Sequence, residues 1–283
     1  MAITNFIPTV WSENLYQALD KQYIAVANCN REFEGDIREK GDTVQICGVG
    51  NVRVRDYVKN ANMEDPETLS ENCKTLEIDQ AKYFNFQIDD IDRAQSSGKL
   101  MDVAMKNAAN ALANDADSYV FQLYGQAGVI ITKQDVDESN IINLLLKART
   151  ELLKNDVYDS SDIVIEVSPE VAELILKAKI NLINGNAEML ETGCIGSIAG
   201  SKIYVSNNVA KPVEEDGTVF HKCYVRTKRA IAFAEQLSEI EAYRPDNRFA
   251  DAMKGLYLFG AKVVRPEEFV MLDLCLAKEP ETV

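Results

Sequence analysis

Two long segments near the start of the chain have the two-residue period of β-strands, and they constrain the fold more than any other feature. Residues 41–58 and residues 74–90 both place their apolar side chains on even positions. These positions are Val44, Ile46, Val52, Val54, Leu76, Ile78, Phe84, Phe86 and Ile88. The polar residues 60–72 between them predict a mobile tip, so the pattern predicts one long two-stranded ribbon.

Such a ribbon needs a surface to cover its apolar face, because an isolated pair of strands is at best marginally stable in water. A single chain offers no obvious cover, so the pattern predicts that a neighbouring copy supplies it. Arg53 and Arg55 lie on the outgoing polar face, and Glu77 and Asp79 lie on the returning one. Cross-strand pairs between them would each contribute roughly 0.2 to 1 kcal/mol. Carboxylates of a neighbouring copy are the alternative partners for the two arginines.

An N-terminal arm is predicted before this ribbon and a long helix after it. Helical spacing from Trp11 to Leu19 predicts an N-terminal arm with one short amphipathic helix. After the ribbon, apolar residues recur every three or four positions in an alanine-rich stretch, which predicts a helix over 98–124, about 40 Å long. Asp115 and Asp117 on this helix predict a solvated face, with ion pairing to another chain as the alternative.

The remainder has the pattern of an α/β unit. Ser139 is predicted to cap a helix over 141–155, residues 162–167 form a short buried strand, and Ser168 caps a second helix that ends at Gly185. Further strands are predicted at 202–206, 223–227, 230–234 and 255–264.

Composition excludes several classes of function. The chain has 283 residues, 46% apolar residues and a formal net charge of −15, which opposes general binding to nucleic acid phosphates. It shows no signal peptide and no apolar run long enough to span a membrane. Its cysteines have no zinc or redox spacing and are predicted to be reduced thiols, with a disulfide framework as the less favoured alternative. They are Cys29, Cys47, Cys73, Cys194, Cys223 and Cys275.

The residue types and spacings of the sequence give little indication of a catalytic site. His221 is the only histidine, so the two-histidine zinc motifs are absent, and a packing or solvent-facing role is expected for it. The glycines at 193, 196 and 200 match no dinucleotide or phosphate loop and predict tight turns. The carboxylates at 89, 90 and 92 lack the spacing of a calcium loop and predict a solvated acidic turn. We therefore predict no enzyme and no catalytic, cofactor or metal site.

The order of several phrases resembles the major capsid proteins of tailed bacteriophages, which have the Hong Kong 97-type fold. The phrases are FIPTVWSENLYQALDK, REFEGDIREKGDTVQI, FNFQIDDIDRAQ, GSIAGSKIYVSNN and MKGLYLFGAKVVRPE. The resemblance implies an α+β fold with an N-arm at 1–30 and an extended loop at 31–92. It further implies a peripheral domain with the spine helix at 93–134, an axial domain at 135–238, a return to the peripheral domain at 239–254 and a closing axial strand with the C-terminal tail at 255–283.

The same resemblance implies a coat protein that assembles into pentamers and hexamers of an icosahedral shell around phage double-stranded DNA. It implies a virion location after assembly in the bacterial cytoplasm, a portal protein as partner and weak contact with the packaged DNA. Because the chain begins at the arm, a separate scaffolding protein is expected. An encapsulin-type nanocompartment shell is the alternative. The candidate contacts between subunits are Trp11, Arg53, Arg55, Glu77, Asp79, Asp115 and Asp117.

Overall fold

The computed structural model describes residues 23–32, 40–49, 56, 59, 71–90, 100–157, 162–178, 194–215 and 217–276. Within these ranges the chain forms three sheets. The first, called the ribbon below, pairs β1 (Thr43–Val49) with β2 (Glu71–Glu77) in antiparallel fashion. The second is three-stranded, with β3 (Gln80–Asp89) beside β10 (Ala250–Val263) and β10 beside β9 (Ile231–Tyr243).

The third sheet has six strands in the order β4-β11-β8-β5-β7-β6. The pairs β4/β11 and β5/β7 are parallel and the other three pairs are antiparallel, so the sheet is mixed. The strands are β4 (Val129–Val136), β5 (Ile163–Val167), β6 (Cys194–Ile198), β7 (Ser201–Val205), β8 (Phe220–Thr227) and β11 (Phe269–Leu276).

Three α-helices accompany these sheets in the described part of the chain: α1 (Leu100–Phe121), α2 (Ile141–Lys154) and α3 (Pro169–Lys177). The long helix is confirmed, but it ends at Phe121, where a 3-10 turn over Gln122–Gln126 takes over. Its 22 residues correspond to about 33 Å. Its apolar stripe packs into one core with β9 and β10, while α2 and α3 cover a face of the six-stranded sheet in a second core.

The local signals at the helix ends differ in how well they predicted the structure. Ser168 caps α3 as predicted, since its side chain accepts from the backbone N–H of Val171, but α3 ends at Lys177. The predicted end at Gly185 lies outside the described residues. The prediction that Ser139 caps α2 is wrong, because the carboxylate of Asp137 instead accepts from the backbone N–H groups of Ser139 and Asn140, 2.9 and 3.0 Å away.

The predicted continuous ribbon is wrong beyond Glu77. The returning segment splits at residues 78–79, and its second half, β3, pairs along its whole length with β10 instead of with the outgoing strand. The even positions of β3 do turn inward, since they are half-buried while the odd positions are exposed. The period therefore identified the faces correctly, but it could not identify the pairing partner.

The predicted need for a neighbouring copy is also wrong at the ribbon's base. Ile46, Leu76 and Ile78 are buried in a third core against Ala232 and Leu258 of the same chain. Lys74 of β2 adds a hydrogen bond to the carbonyl of Val264 at 2.5 Å. The base of the ribbon is therefore anchored on its own body, whereas residues 50–55 and 60–70 lie outside the described ranges.

The strands near the end of the chain fall in two different sheets. Residues 230–234 and 255–264 fall mainly within β9 and β10, so these two predicted strands belong to the three-stranded sheet and not to the six-stranded one. β11 belongs to the six-stranded sheet, where it pairs with β8. The boundary predicted at residue 134 falls inside β4, which pairs with β11.

One cysteine also departs from the expectation of reduced thiols. Cys73 is disulfide-bonded. Cys29, Cys223 and Cys275 are free, as predicted.

Candidate assembly site and its anchorage

Residues 23–32, called the root segment below, contact three different parts of the fold. A 3-10 turn at Val26–Asn28 lies at its centre, and half of its residues are buried. Asn30 forms a parallel bridge to Ala232 of β9, with backbone hydrogen bonds of 2.8 and 2.9 Å. This pairing joins the root segment to the three-stranded sheet.

Asp117 of α1 binds the start of the 3-10 turn. Its carboxylate accepts from the backbone N–H groups of Ile24, Ala25 and Val26 at 2.9, 3.1 and 3.0 Å. It thus caps this turn from another element, as a local cap residue would. Burial raises the pKa of Asp117 to about 7, although the hydrogen bonds from Val26 and Ile24 lower it. The predicted solvated face is wrong for this residue, which is 1% exposed.

A fully buried ion pair holds the other side of the turn. Arg226 of β8 donates to both carboxylate oxygens of Glu166 on β5 at 2.9 Å, and it also donates to the carbonyls of Ala25 and Asn28 at 3.0 and 2.6 Å. Burial disfavours the charged guanidinium, but the Glu166 carboxylate outweighs this effect and the pKa of Arg226 is raised. The guanidinium therefore binds Glu166 within the six-stranded sheet and also joins that sheet to the root segment.

A third buried cluster attaches the root segment to the three-stranded sheet. The hydroxyl of Tyr23 donates to Glu235 at 2.6 Å and lies 2.7 Å from the hydroxyl of Tyr257. Tyr257 also donates to Glu235, and Arg31 forms an ion pair with the same carboxylate. Burial and the Glu235 charge raise the pKa of Tyr23 well above its usual range, so this hydroxyl stays protonated and donates.

The seven predicted contact residues lie in different places. Trp11, Arg53 and Arg55 are outside the described residues. The other carboxylates are used within the chain or face solvent: Asp79 accepts from the hydroxyl of Tyr119 at 2.8 Å, and Asp115 lies 3.2 Å from the ammonium group of Lys82. Glu77 is exposed at the end of β2. Asp79 and Asp115 thus both lie where α1 meets β3, while Asp117 faces the root segment.

Exposed aromatic and aliphatic side chains were missed by the sequence analysis. Tyr83 is 78% exposed, and Leu256, which lies directly opposite it in the strand register, is 36% exposed. Phe249, in the connection between β9 and β10, is 83% exposed. The odd positions of β3 carried a signal for Tyr83, because they alternate with the inward Phe84 and Phe86. Tyr83 and Leu256 therefore form an exposed apolar pair on the outer face of this sheet.

His221 has the packing role that the sequence favoured. It is buried, and its Nδ1 lies 2.9 Å from the hydroxyl of Ser168 and 3.8 Å from the carboxylate of Glu170. Both neighbours meet the same ring nitrogen, and the Ser168 hydroxyl is fully buried as the cap of α3. The geometry of a serine–histidine–acid triad, with the acid on the second ring nitrogen, is therefore not met by these three residues. Burial lowers the pKa of His221.

The described ranges contain no cluster of three or more histidine, cysteine or acidic side chains able to hold a metal ion. Asp90 instead forms an ion pair with Arg244, and Asp92 lies outside these ranges. Gly200 has a φ of 87° in the turn between β6 and β7, as a tight turn requires. None of the described helices is both long and apolar enough to cross a membrane.

Comparison with known proteins gives a consistent result for the fold. No family model and no curated protein matches the chain. A solved structure from Mycobacterium phage Che8 is 29% identical, with a TM-score of 0.67, over 96% of this chain and 98% of the other. The capsid of Ralstonia phage GP4 matches with a TM-score of 0.70 and 12% identity over 94% of this chain and 92% of the other. The chain fits a phage major capsid protein.

The capsid-type fold also occurs in a particle from another source. The crystal structure of a virus-like particle from Pyrococcus furiosus matches this capsid-type chain with a TM-score of 0.54 and 14% identity, over 92% of this chain and 96% of the other. In each case nearly the whole of both chains is aligned. The likeness is therefore one of the whole fold and not of a single part of it.

Proposed function

We propose that this chain is the major coat protein of a phage and that it assembles into pentamers and hexamers of an icosahedral shell around double-stranded DNA. The observation that supports this most is the match to the capsid of Ralstonia phage GP4 over 94% of the chain. In this proposal the division is Hong Kong 97-like, with residues 1–30 as the N-arm, the ribbon as the base of the extended loop, α1 as the spine helix and the six-stranded sheet in the axial domain.

The anchorage of the root segment supplies a physical basis for this function. An arm that reaches a neighbouring subunit transmits force only if its origin is fixed, and three buried polar clusters fix it here. Contacts that repeat around a ring close when the rotation angle allows, so each contact can be weak. Once one contact forms, the next becomes intramolecular, and many modest interfaces add up to a stable shell.

The net charge of −15 suits an enclosure for DNA. Because the charge of the chain opposes phosphate binding, the genome would be contacted weakly on the inner surface and would stay movable during packaging. Screening over about 8 Å at physiological salt allows subunits of like charge to approach one another. The partners proposed with this function are further copies of the chain, a scaffolding protein and a portal protein, in a particle assembled in the bacterial cytoplasm.

Electron microscopy of the purified chain tests the proposal. We expect closed particles or rings with five-fold and six-fold symmetry, either from the chain alone or on addition of a scaffolding protein. Size-exclusion chromatography of the same sample should show material far larger than one chain. A monomer under all these conditions would contradict the proposal, and a turnover screen on that monomer would then test for an enzyme.

A nanocompartment shell is the second candidate, because the Pyrococcus furiosus virus-like particle also matches along most of its length. The two kinds of shell differ in what they enclose and in whether one vertex carries a portal. A phage shell should protect DNA from nuclease and carry a portal at one vertex. A nanocompartment should lack both and should enclose protein cargo.

A further inference from the structure

The disulfide of Cys73 has an identifiable partner in the strand register. Cys73 is disulfide-bonded, and the ribbon register places Cys47 of β1 directly opposite it. Directly opposed residues of antiparallel strands have Cα atoms roughly 4.5 to 5.5 Å apart, within the roughly 4.4 to 6.8 Å that a disulfide requires. The alternative partner is Cys194, which lies in the six-stranded sheet, where it pairs with Tyr204 of β7.

We propose that Cys47 and Cys73 form a redox-controlled disulfide that staples the ribbon at its base. This proposal concerns the single chain and does not depend on shell assembly. Apolar packing already holds the ribbon as far as Ile46 and Leu76, which are buried against the body. Cys73 lies on the outward face of β2 and is exposed, and no described side chain of the ribbon beyond Ile46 and Leu76 is buried, so apolar packing fixes the pairing less firmly there. A two-stranded sheet is only marginally stable without such support, and a covalent link would supply it.

The chemistry requires an oxidant, and a small-molecule disulfide such as oxidised glutathione suits an exposed thiol. The thiolate of one cysteine attacks a sulfur of oxidised glutathione and releases one glutathione thiolate. The thiolate of the second cysteine then attacks the protein sulfur of this mixed disulfide and releases the second glutathione. Two protein thiols thereby lose two protons and two electrons, and one oxidised glutathione is reduced to two thiols. Excess reduced glutathione reverses both steps.

The structural effect follows from loop closure. The link closes a loop of about 25 residues between the two cysteines, which favours the paired ribbon by about 300-fold on the chain-entropy account. In an oxidising medium the two strands would stay in register up to the staple. In a reducing medium the ribbon beyond Ile46 and Leu76 would open and close more freely.

Peptide mapping tests the identity of the partner. The full chain is incubated with oxidised glutathione, its remaining thiols are blocked with iodoacetamide without reduction, and the digest is analysed by mass spectrometry. We expect one linked pair of peptides that contains Cys47 and Cys73, with Cys275 alkylated. A link from Cys73 to Cys194, or alkylation of both Cys47 and Cys73, would overturn the proposal.

Hydrogen exchange tests the stapling effect. Amides of β1 and β2 in the wild-type chain should exchange more slowly after oxidation than after reduction, by up to about 300-fold. Cys73→Ser and the double variant Cys47→Ser/Cys73→Ser should behave like the reduced wild type under both conditions. Cys275→Ser, which removes a free thiol of β11, should keep the redox response. Since the main comparison uses the wild-type chain, equal exchange in both states would overturn the stapling role even if a variant failed to fold.

Discussion

At the scale of single residues, Asp117 makes the stability of the root segment depend on pH. Its pKa is raised from its ordinary value of 3.8 to about 7, first because of burial, and its neighbour Glu166 adds to the rise. The folded chain therefore binds a proton more tightly than the unfolded chain between these two values. The contribution of this group to the free energy of unfolding must then be largest below about pH 4 and fall as the pH rises towards about 7.

Other titratable groups also affect how stability depends on pH. Arg226 and Glu166 form an ion pair whose two charges cancel, and burial raises the pKa of the Cys29 thiol to about 12, so it remains neutral. His221 titrates in the opposite sense, because its lowered pKa means that stability is lost as the pH falls through its unfolded value of 6.5. The pH dependence of the free energy of unfolding is therefore a sum over these groups. A variant is needed to isolate the contribution of Asp117.

The variant Asp117→Asn should remove the contribution of Asp117 to the pH dependence of stability. We expect the difference in free energy of unfolding, wild type minus variant, to fall as the pH rises from about 4 to 7, measured by urea denaturation at several pH values. Asp115→Asn is the matched control, since it lies on the same helix with its side chain 52% exposed. If the wild-type and Asp117→Asn profiles were parallel, Asp117 would not titrate in this window.

The Arg226–Glu166 pair predicts a large cost for removing one partner. Arg226→Met leaves the carboxylate of Glu166 buried without its cation, so we expect a loss of about 3 to 5 kcal/mol in the free energy of unfolding. The exposed pair of Arg229 and Asp162, 3.6 Å apart, provides the control, and Arg229→Met should cost less than about 1 kcal/mol. Equal effects of the two variants on chemical denaturation would contradict the importance of the buried pair.

At the scale of elements, the close approach of β10 to the ribbon depends on Gly260. A Cβ atom added at this position would lie 2.2 Å from the carbonyl oxygen of Glu77, so the two backbones must move apart in Gly260→Ala. We expect a loss of about 1 to 3 kcal/mol in stability and faster hydrogen exchange in β2. Gly125→Ala is the matched control, because an added Cβ there meets no atom within 4 Å and should change stability by less than about 1 kcal/mol.

The sequence predicted the inward faces of the strands but not all of their pairing partners. Period-two alternation identified the inward faces of β1, β2 and β3, because alternation depends only on local geometry. Strand pairing depends on residues that are distant in the sequence, and β3 pairs with β10, which lies far along the chain. β11 was missed since a strand buried through most of its length reads as an apolar run without alternation. A helix cap such as Ser168 was predictable because its partner is three residues away.

The environment of a candidate contact residue such as Asp117 was harder to predict, because it also depends on residues that are distant in the sequence. Asp117 follows Ala116 and precedes Val120 on a buried stripe of α1, but the N–H groups that satisfy it lie more than 90 residues earlier. A carboxylate on a helix is usually solvated, so the ordinary expectation failed here. Nothing in the local sequence distinguishes it from Asp115, which is exposed. Only the fold brings the root segment to it.

At the scale of the whole molecule, assembly must overcome the repulsion between copies that each carry a net charge of −15. Local pairs of opposite charge are then needed wherever acidic surfaces meet, and they weaken as salt rises. Arg53 and Arg55 are the proposed cations of such pairs, with carboxylates of a neighbouring copy as partners. Both lie outside the described residues, so assembly experiments are the direct test of this proposal.

The double charge reversal Arg53→Glu/Arg55→Glu should therefore impair assembly at low salt. Loss of two ion pairs and the new repulsion predict that the concentration needed for assembly rises by roughly tenfold or more, as measured by light scattering and electron microscopy. Lys147→Glu/Lys202→Glu is the matched control, because it changes the net charge by the same amount at exposed positions of α2 and β7.

The two variants separate a local effect from a general one. If only the net charge matters, both double variants will assemble equally poorly at low salt, and both will recover together when salt is added. If the arginines form specific pairs, their variant will be the weaker one at low salt, and the difference will shrink near 1 M salt, where screening reaches about 3 Å. Unchanged assembly of the arginine variant at low salt would remove Arg53 and Arg55 from the contacts between copies.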